Sequence, residues 1–152
     1  MLRNQELIQT LILADDDEDD RDIFRDVIEQ INPKIKVQIV SNGISLIDLL
    51  KHYAPDLLFL DLEMPHKNGL ECLSEMRANP RLKDLPVVVF SSTTRPANIQ
   101  AAYDMGADLF LIKEASFQEY TSSLKAILQL DWKDRLKIKH QHLVNNRYVA
   151  FG

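Results

Sequence analysis

Short apolar runs alternate along this chain with longer stretches in which apolar positions recur every three or four residues. The runs fall near 10–14, 35–40, 56–61, 86–91 and 108–112, each of strand length. Leu57-Leu58-Phe59-Leu60, Val87-Val88-Val89-Phe90 and Leu109-Phe110-Leu111-Ile112 are continuous, the pattern of strands buried on both faces. Ile35-Lys36-Val37-Gln38-Ile39-Val40 alternates instead, which places it at an edge with one wetter face. Between the runs, Ile23, Phe24, Val27, Ile28 and Ile31 form one helical stripe that Pro33 ends. Leu46, Ile47, Leu49, Leu50 and Tyr53 mark a second helix closed by Pro55, and Leu70, Leu73 and Met76 a third closed by Pro80. Pro96 suits the first position of a fourth helix with Gly106 as its left-handed cap. Ser116 and Glu119 stand in capping-box spacing before a fifth, with Phe117, Tyr120, Leu124, Ile127 and Leu128 on one face. Strands alternating with helices predict an α/β fold, a doubly wound five-stranded parallel sheet with helices on both faces.

The polar residues at the ends of these runs change the picture from fold to chemistry. Leu11-Ile12-Leu13-Ala14 opens onto Asp15, Asp16 and Asp17, and the third run opens onto Asp61. In such a sheet ligands bind beyond the carboxyl ends of the strands, so these acids converge there. Carboxylates about 4 Å apart at an effective dielectric near 20 repel one another by roughly 4 kcal/mol a pair, and folding them together needs a compensating charge. An oxygen-only site favours Mg²⁺ over zinc. Ser91 and Lys113 follow the fourth and fifth runs, and both residue types serve a phosphoryl group. An ionised Asp61 needs no base to act as a nucleophile toward phosphorus, while a cation and Lys113 neutralise charge on the phosphoryl oxygens. Asp17, Glu18, Asp19 and Asp20 read most simply as charge at the start of the first helix.

Four segments carry a strong resemblance to the receiver domain of two-component response regulators over residues 10 to about 130. They are Leu11–Asp20, Asp56–Pro65 with Gly69, Pro86–Ser92 and Gly106–Lys113, in this order and spacing. The expected strand order is then the flavodoxin-like 2-1-3-4-5. The resemblance implies that Asp61 accepts a phosphoryl group from a phosphohistidine of a sensor histidine kinase or phosphotransfer protein. It implies Asp16 as direct Mg²⁺ ligand, Asp15 as a second acid acting partly through water, and the Glu63 backbone carbonyl as a further ligand. Met64-Pro65 and Gly69 would shape the loop beside the site. Ser91 and Phe110 occupy the switch positions, and Glu63 and Thr93 occupy positions that influence the phosphoryl lifetime. Lys113 is followed by Glu114 where the family usually has a proline joined by a cis bond, so a trans or strained loop is expected there.

Composition bounds the remaining possibilities. With 152 residues, 45% hydrophobic and 27% charged, the chain suits one globular domain. The net charge of -5 argues against broad nucleic-acid binding. A single cysteine, Cys72, expected buried on a helix, fits a cytoplasmic protein without disulfides. No run approaches a membrane span, and the polar residues Gln5, Glu6, Gln9 and Thr10 speak against a secretory signal. No catalytic role is expected for His52, His66, His140 or His142. The reading divides the chain into a receiver domain, 1–130, and a C-terminal extension, 131–152, too short for a DNA-binding output domain. The extension carries five Lys or Arg against two Asp, a balance of +3 that leaves -8 for the rest. Its pattern allows a hairpin turning at Asn145-Asn146 or a continued helix, and Trp132, Tyr148 and Phe151 predict that it docks on its own domain, a second copy in a homodimer, or another protein. The functional expectation is a phosphoacceptor, not an enzyme, that signals to an effector protein through the surface of the fourth helix, fifth strand and fifth helix. The alternatives are a Mg²⁺-dependent phosphohydrolase of the haloacid-dehalogenase kind and a constitutive adaptor using its basic tail.

Overall fold

The computed structural model describes residues 8–113 and 116–152. The Lys113–Glu114 bond, whose isomer the sequence singles out, lies outside the described residues. So do Gln5 and Glu6. Five parallel strands, β1 (Thr10–Ala14), β2 (Lys36–Val40), β3 (Leu57–Leu60), β4 (Val87–Ser91) and β5 (Leu109–Ile112), form one sheet in the order β2-β1-β3-β4-β5. They are connected by α1 (Glu18–Ile31), α2 (Gly43–Leu50), α3 (Gly69–Arg77) and α4 (Pro96–Asp104), with α5 (Phe117–Leu128) following β5.

The period-2 alternation of the strands divides the interior into two layers. Ile12, Leu58, Val89 and Phe110 face Leu46, Leu73 and Tyr103 from α2, α3 and α4. Leu11, Phe59, Phe90 and Leu111 face Phe24 and Val27 from α1 and Tyr120, Leu124 and Ile127 from α5. Phe24 meets Phe59 edge-on at 5.1 Å, and Phe90 meets Tyr120 at 5.5 Å. β2 pairs only with β1, as its alternating sequence predicts.

Helix ends depart from the sequence expectation in instructive places. α2 stops at Leu50, leaving Tyr53 outside it. The complete capping box belongs to α3, where Asn68 and Glu71 satisfy each other's backbone N–H groups. At α5 the Ser116 hydroxyl accepts from the Glu119 N–H at 3.3 Å. Phe117, assigned by periodicity to the buried stripe, is 45% exposed. It is the first residue of α5.

The last segment contains both of the elements its sequence allowed. A 3-10 turn (Trp132–Asp134) leads into α6 (Arg135–His140), then β6 (Leu143–Val144) and β7 (Arg147–Tyr148) pair as a hairpin. Asn145 and Asn146 take φ of 52° and 64°, the left-handed values of a two-residue type I′ turn. The segment docks on its own domain. Tyr148 stacks on Tyr103 at 4.6 Å, and the Tyr103 hydroxyl donates to the Val149 carbonyl while accepting from the Phe110 N–H. The Phe151 N–H donates to the Phe110 carbonyl at 2.8 Å. Both outward-facing backbone groups of Phe110 are therefore satisfied, and the otherwise open edge of β5 is covered at this residue. This explains how an edge strand can be as apolar as a central one.

Candidate metal and phosphoryl site

Asp15, Asp61 and Lys113 each stand one residue past the end of a strand, yet each keeps a ladder hydrogen bond through its backbone. Asp15 N–H donates to Val40 O at 3.0 Å, Asp61 N–H to Ala14 O at 2.9 Å, and Lys113 N–H to Ser91 O at 2.8 Å. Their side chains are thus aimed from rigid backbone into the cleft at the carboxyl edge of the sheet. Ser91, the last residue of β4 and opposite Ile112, is 3% exposed. Its hydroxyl oxygen accepts from the Thr93 N–H at 3.2 Å, leaving its own proton to donate. Thr93 Oγ1 in turn accepts from Arg95 N–H and the Asn98 amide, which ties Ser91 to the start of α4. Phe110 is fully buried, packed on the Tyr103 side of the sheet with Tyr148 and Ala150 of the last segment against the same core.

One carboxylate oxygen from each of Asp15, Asp16 and Asp61 lies within 4.8 Å of the others. Asp15 is wholly buried and Asp61 nearly so, whereas Asp16 is exposed. Asp15 Oδ1 accepts from the Asp17 N–H, while Oδ2 is buried with no aligned hydrogen bond and has the Lys113 ammonium 3.0 Å away. Such an atom is costly unless something binds it. Three converging acid oxygens, one of them buried and short of a hydrogen bond, fit a hard divalent cation. The Glu63 N–H donates to Asp61 Oδ1 at 3.2 Å, and the Glu63 side chain is exposed.

Burial pushes the Asp61 carboxyl up to about 7; Lys113 pulls it down, and the neighbouring Asp15 charge raises it again. Burial alone would lower the Lys113 ammonium, but the hydrogen bond to Asp20 and the charges of Asp61 and Asp15 outweigh it and hold it above the usual lysine range. Lys113 Nζ lies 2.7 Å from Asp20, 3.0 Å from Asp15 and 3.3 Å from Asp61. Asp20 therefore does more than complement the α1 start, where Asp17 is the N-cap.

The loop after β3 folds back on the site because position 69 lacks a side chain. The Gly69 N–H donates to Leu62 O at 2.9 Å, and a Cβ there would collide with the Asp61 carbonyl oxygen. Gly69→Ala is expected to lower the unfolding free energy by about 1–3 kcal/mol, read as a lower denaturant midpoint. An unchanged midpoint would show that the loop yields freely. Among the four histidines, His142 is held through Nδ1 at 2.8 Å from Ile138 O. Cys72 is buried in α3, and burial raises its thiol to about 11. Among the described residues, no helix is long and apolar enough to cross a membrane.

Comparison with known proteins agrees with this geometry. The chain is 25% identical over 126 residues to the response regulator Rcp1 of Synechocystis sp., covering 78% of this chain and 86% of that protein. It is 30% identical over 120 residues to the cyclic di-GMP phosphodiesterase response regulator RpfG of Xanthomonas campestris, but spans 32% of that longer protein. Among solved structures, the phosphorylated cyanobacterial phytochrome response regulator RcpA superposes with a TM-score of 0.76 at 26% identity, over 84% of this chain and 95% of that one. The Mn²⁺-bound form of Rcp1 superposes at 0.71 with 25% identity, over 78% and 91%. None of these matches supports a haloacid-dehalogenase-type phosphohydrolase. Residues 11–125, which contain every strand end that builds the acidic cleft, match the response regulator receiver domain, and the chain belongs to that family.

Proposed function

We propose that Asp61 is the phosphoacceptor of a two-component signalling step, loaded in a Mg²⁺-dependent reaction by a histidine kinase or phosphotransfer protein. The observation that carries this reading is the Asp61 carboxylate itself. It is buried at a strand end, with Lys113 on one oxygen and the buried Asp15 and exposed Asp16 beside it. Mn²⁺ in Rcp1 and phosphorylation in RcpA support it by likeness. Asp15, Asp16 and Asp61 would hold the cation, with the Glu63 carbonyl as a further oxygen ligand. When bound, Mg²⁺ supplies positive charge to the equatorial phosphoryl oxygens.

In the transfer, an Asp61 carboxylate oxygen forms the new O–P bond as the P–N bond to the donor imidazole breaks, and the imidazole nitrogen keeps that electron pair. Lys113 neutralises one phosphoryl oxygen, and Ser91 donates its hydroxyl proton to another. Water later attacks phosphorus, releasing inorganic phosphate and the free carboxylate. Through Thr93, Ser91 pulls on the start of α4, so the surface around α4, β5 and α5 is where an effector protein would read the change. Phe110 is the second switch position, buried in the core against which Tyr148 packs. Division into a receiver unit, 1–130, and an extension, 131–152, belongs to the same proposal, as does action in the cytoplasm.

The test is incubation of the full chain with Mg²⁺ and acetyl phosphate, followed by intact mass. One phosphoryl addition per chain is expected. No addition, or sustained turnover of small phosphomonoesters, would contradict the proposal.

A further inference from the structure

We infer that Asp20 is the resting partner of Lys113, a positioning residue that has to give up part of the ammonium when Asp61 is modified. The inference rests on the reading of Asp61 as acceptor. An ammonium has three protons to donate and no acceptor. Around Lys113 stand three carboxylates, at 2.7 Å (Asp20), 3.0 Å (Asp15) and 3.3 Å (Asp61). Only the Asp20 and Asp61 contacts are aligned as hydrogen bonds, and the one to Asp20 is much the shorter. The acceptor residue thus has the weaker hold on the lysine that serves it.

Asp20 is built to keep its share. It lies in the first turn of α1, with its own N–H fixed by the Asp17 carboxylate at 3.1 Å. The side chains of Asp20 and Lys113 are 31% and 16% exposed, so this is not a freely solvated surface pair. On its other side Lys113 lies over the Phe90 ring at 5.2 Å, which limits where the ammonium can go. A phosphoryl group on Asp61 brings new anionic oxygens into the cleft, and Lys113 must turn toward them. The Asp20 contact opposes that movement, and the Asp20 charge also repels the incoming group. Asp20 is not among the three acids whose oxygens converge as a cation site, so its replacement leaves those ligands in place.

The full chain, D20N and D20E are to be compared in two measurements. The first is the ¹⁵N signal of the Lys113 ammonium with neither cation nor phosphoryl mimic present. The second is the affinity for beryllofluoride, a stable tetrahedral mimic of the phosphoryl group, with Mg²⁺ saturating. In D20N the ammonium signal shifts and beryllofluoride binds about three- to tenfold more tightly, the range for losing one partly buried charged contact. D20E restores both toward wild type. An unshifted ammonium signal in D20N, or an affinity unchanged or weakened, overturns the inference. A wild type that binds no beryllofluoride instead overturns the Asp61 reading, while the ammonium signal still reports separately whether Asp20 holds Lys113.

Discussion

Asp108→Ala lowers the unfolding free energy by about 3–5 kcal/mol, the usual cost of breaking a buried ion pair from one side. For a chain of this size that moves the thermal midpoint down by roughly 6–20 °C. Asp108 is 1% exposed at the start of β5. Its Oδ2 accepts from the Val87 N–H at 2.9 Å and from Arg77 Nη2 at 3.1 Å, and its Oδ1 accepts from Arg135 Nη1 at 2.6 Å. Removing it leaves Arg77 without a paired carboxylate, Arg135 with only the exposed Asp84 at 3.3 Å, and one buried backbone donor without an acceptor. Arg77 keeps its bonds to the Gly106 and Leu85 carbonyls, which holds the loss near the lower end of the range. Arg135 begins α6, so the substitution also loosens the docked extension. Equilibrium denaturation of Asp108→Ala, Arg135→Ala and the double variant gives the coupling. A pair that acts additively would show that Asp108 does not anchor the extension.

The second large effect is linkage between protons, cations and stability at Asp61. Burial disfavours its charge and is the chief reason its carboxyl is pushed up from 3.8 to about 7 in the folded chain. A raised native value means that the folded form binds the proton more tightly. The associated stability is fully present below about pH 4 and is lost as pH rises through 7. In chelator-treated protein, wild type should therefore lose stability between pH 5 and pH 8 relative to Asp61→Asn, which cannot ionise there. Solvent at the mouth of the cleft screens part of the effect, leaving an expected difference on the order of 2 kcal/mol. Mg²⁺ should restore more stability at pH 8 than at pH 5, because it binds the ionised form. Identical pH slopes for the two proteins would show that Asp61 is not held against ionisation.

Much of the fold was legible because its determinants are local. Run length separated Val87–Phe90 from the helical stripes, and prolines 33, 55 and 80 bounded helices without reference to anything distant. The convergence of Asp15, Asp16 and Asp61 was legible too, since all strands of a parallel sheet end on the same edge. What the sequence hid depends on pairs far apart in the chain. Nothing near Asp108 announces that Arg77 and Arg135 close on it. Nor does anything near Asp20 announce Lys113, 93 residues away. The docking of the extension depends on a hydroxyl at Tyr103 reaching both Phe110 and Val149, a geometry that no periodicity encodes. Phe117 shows the converse: its spacing fits the buried stripe of α5, yet as the first residue of the helix it stands exposed.

Borohydride reduction of protein labelled with acetyl phosphate, followed by peptide mass spectrometry, tests the account most directly, because it converts an aspartyl phosphate to homoserine where the phosphoryl group stood. Homoserine at position 61, absent when Mg²⁺ is chelated and absent in Asp61→Asn, is the predicted result. Homoserine at position 15 or 16, or a phosphoryl group that survives reduction on another residue type, would contradict it.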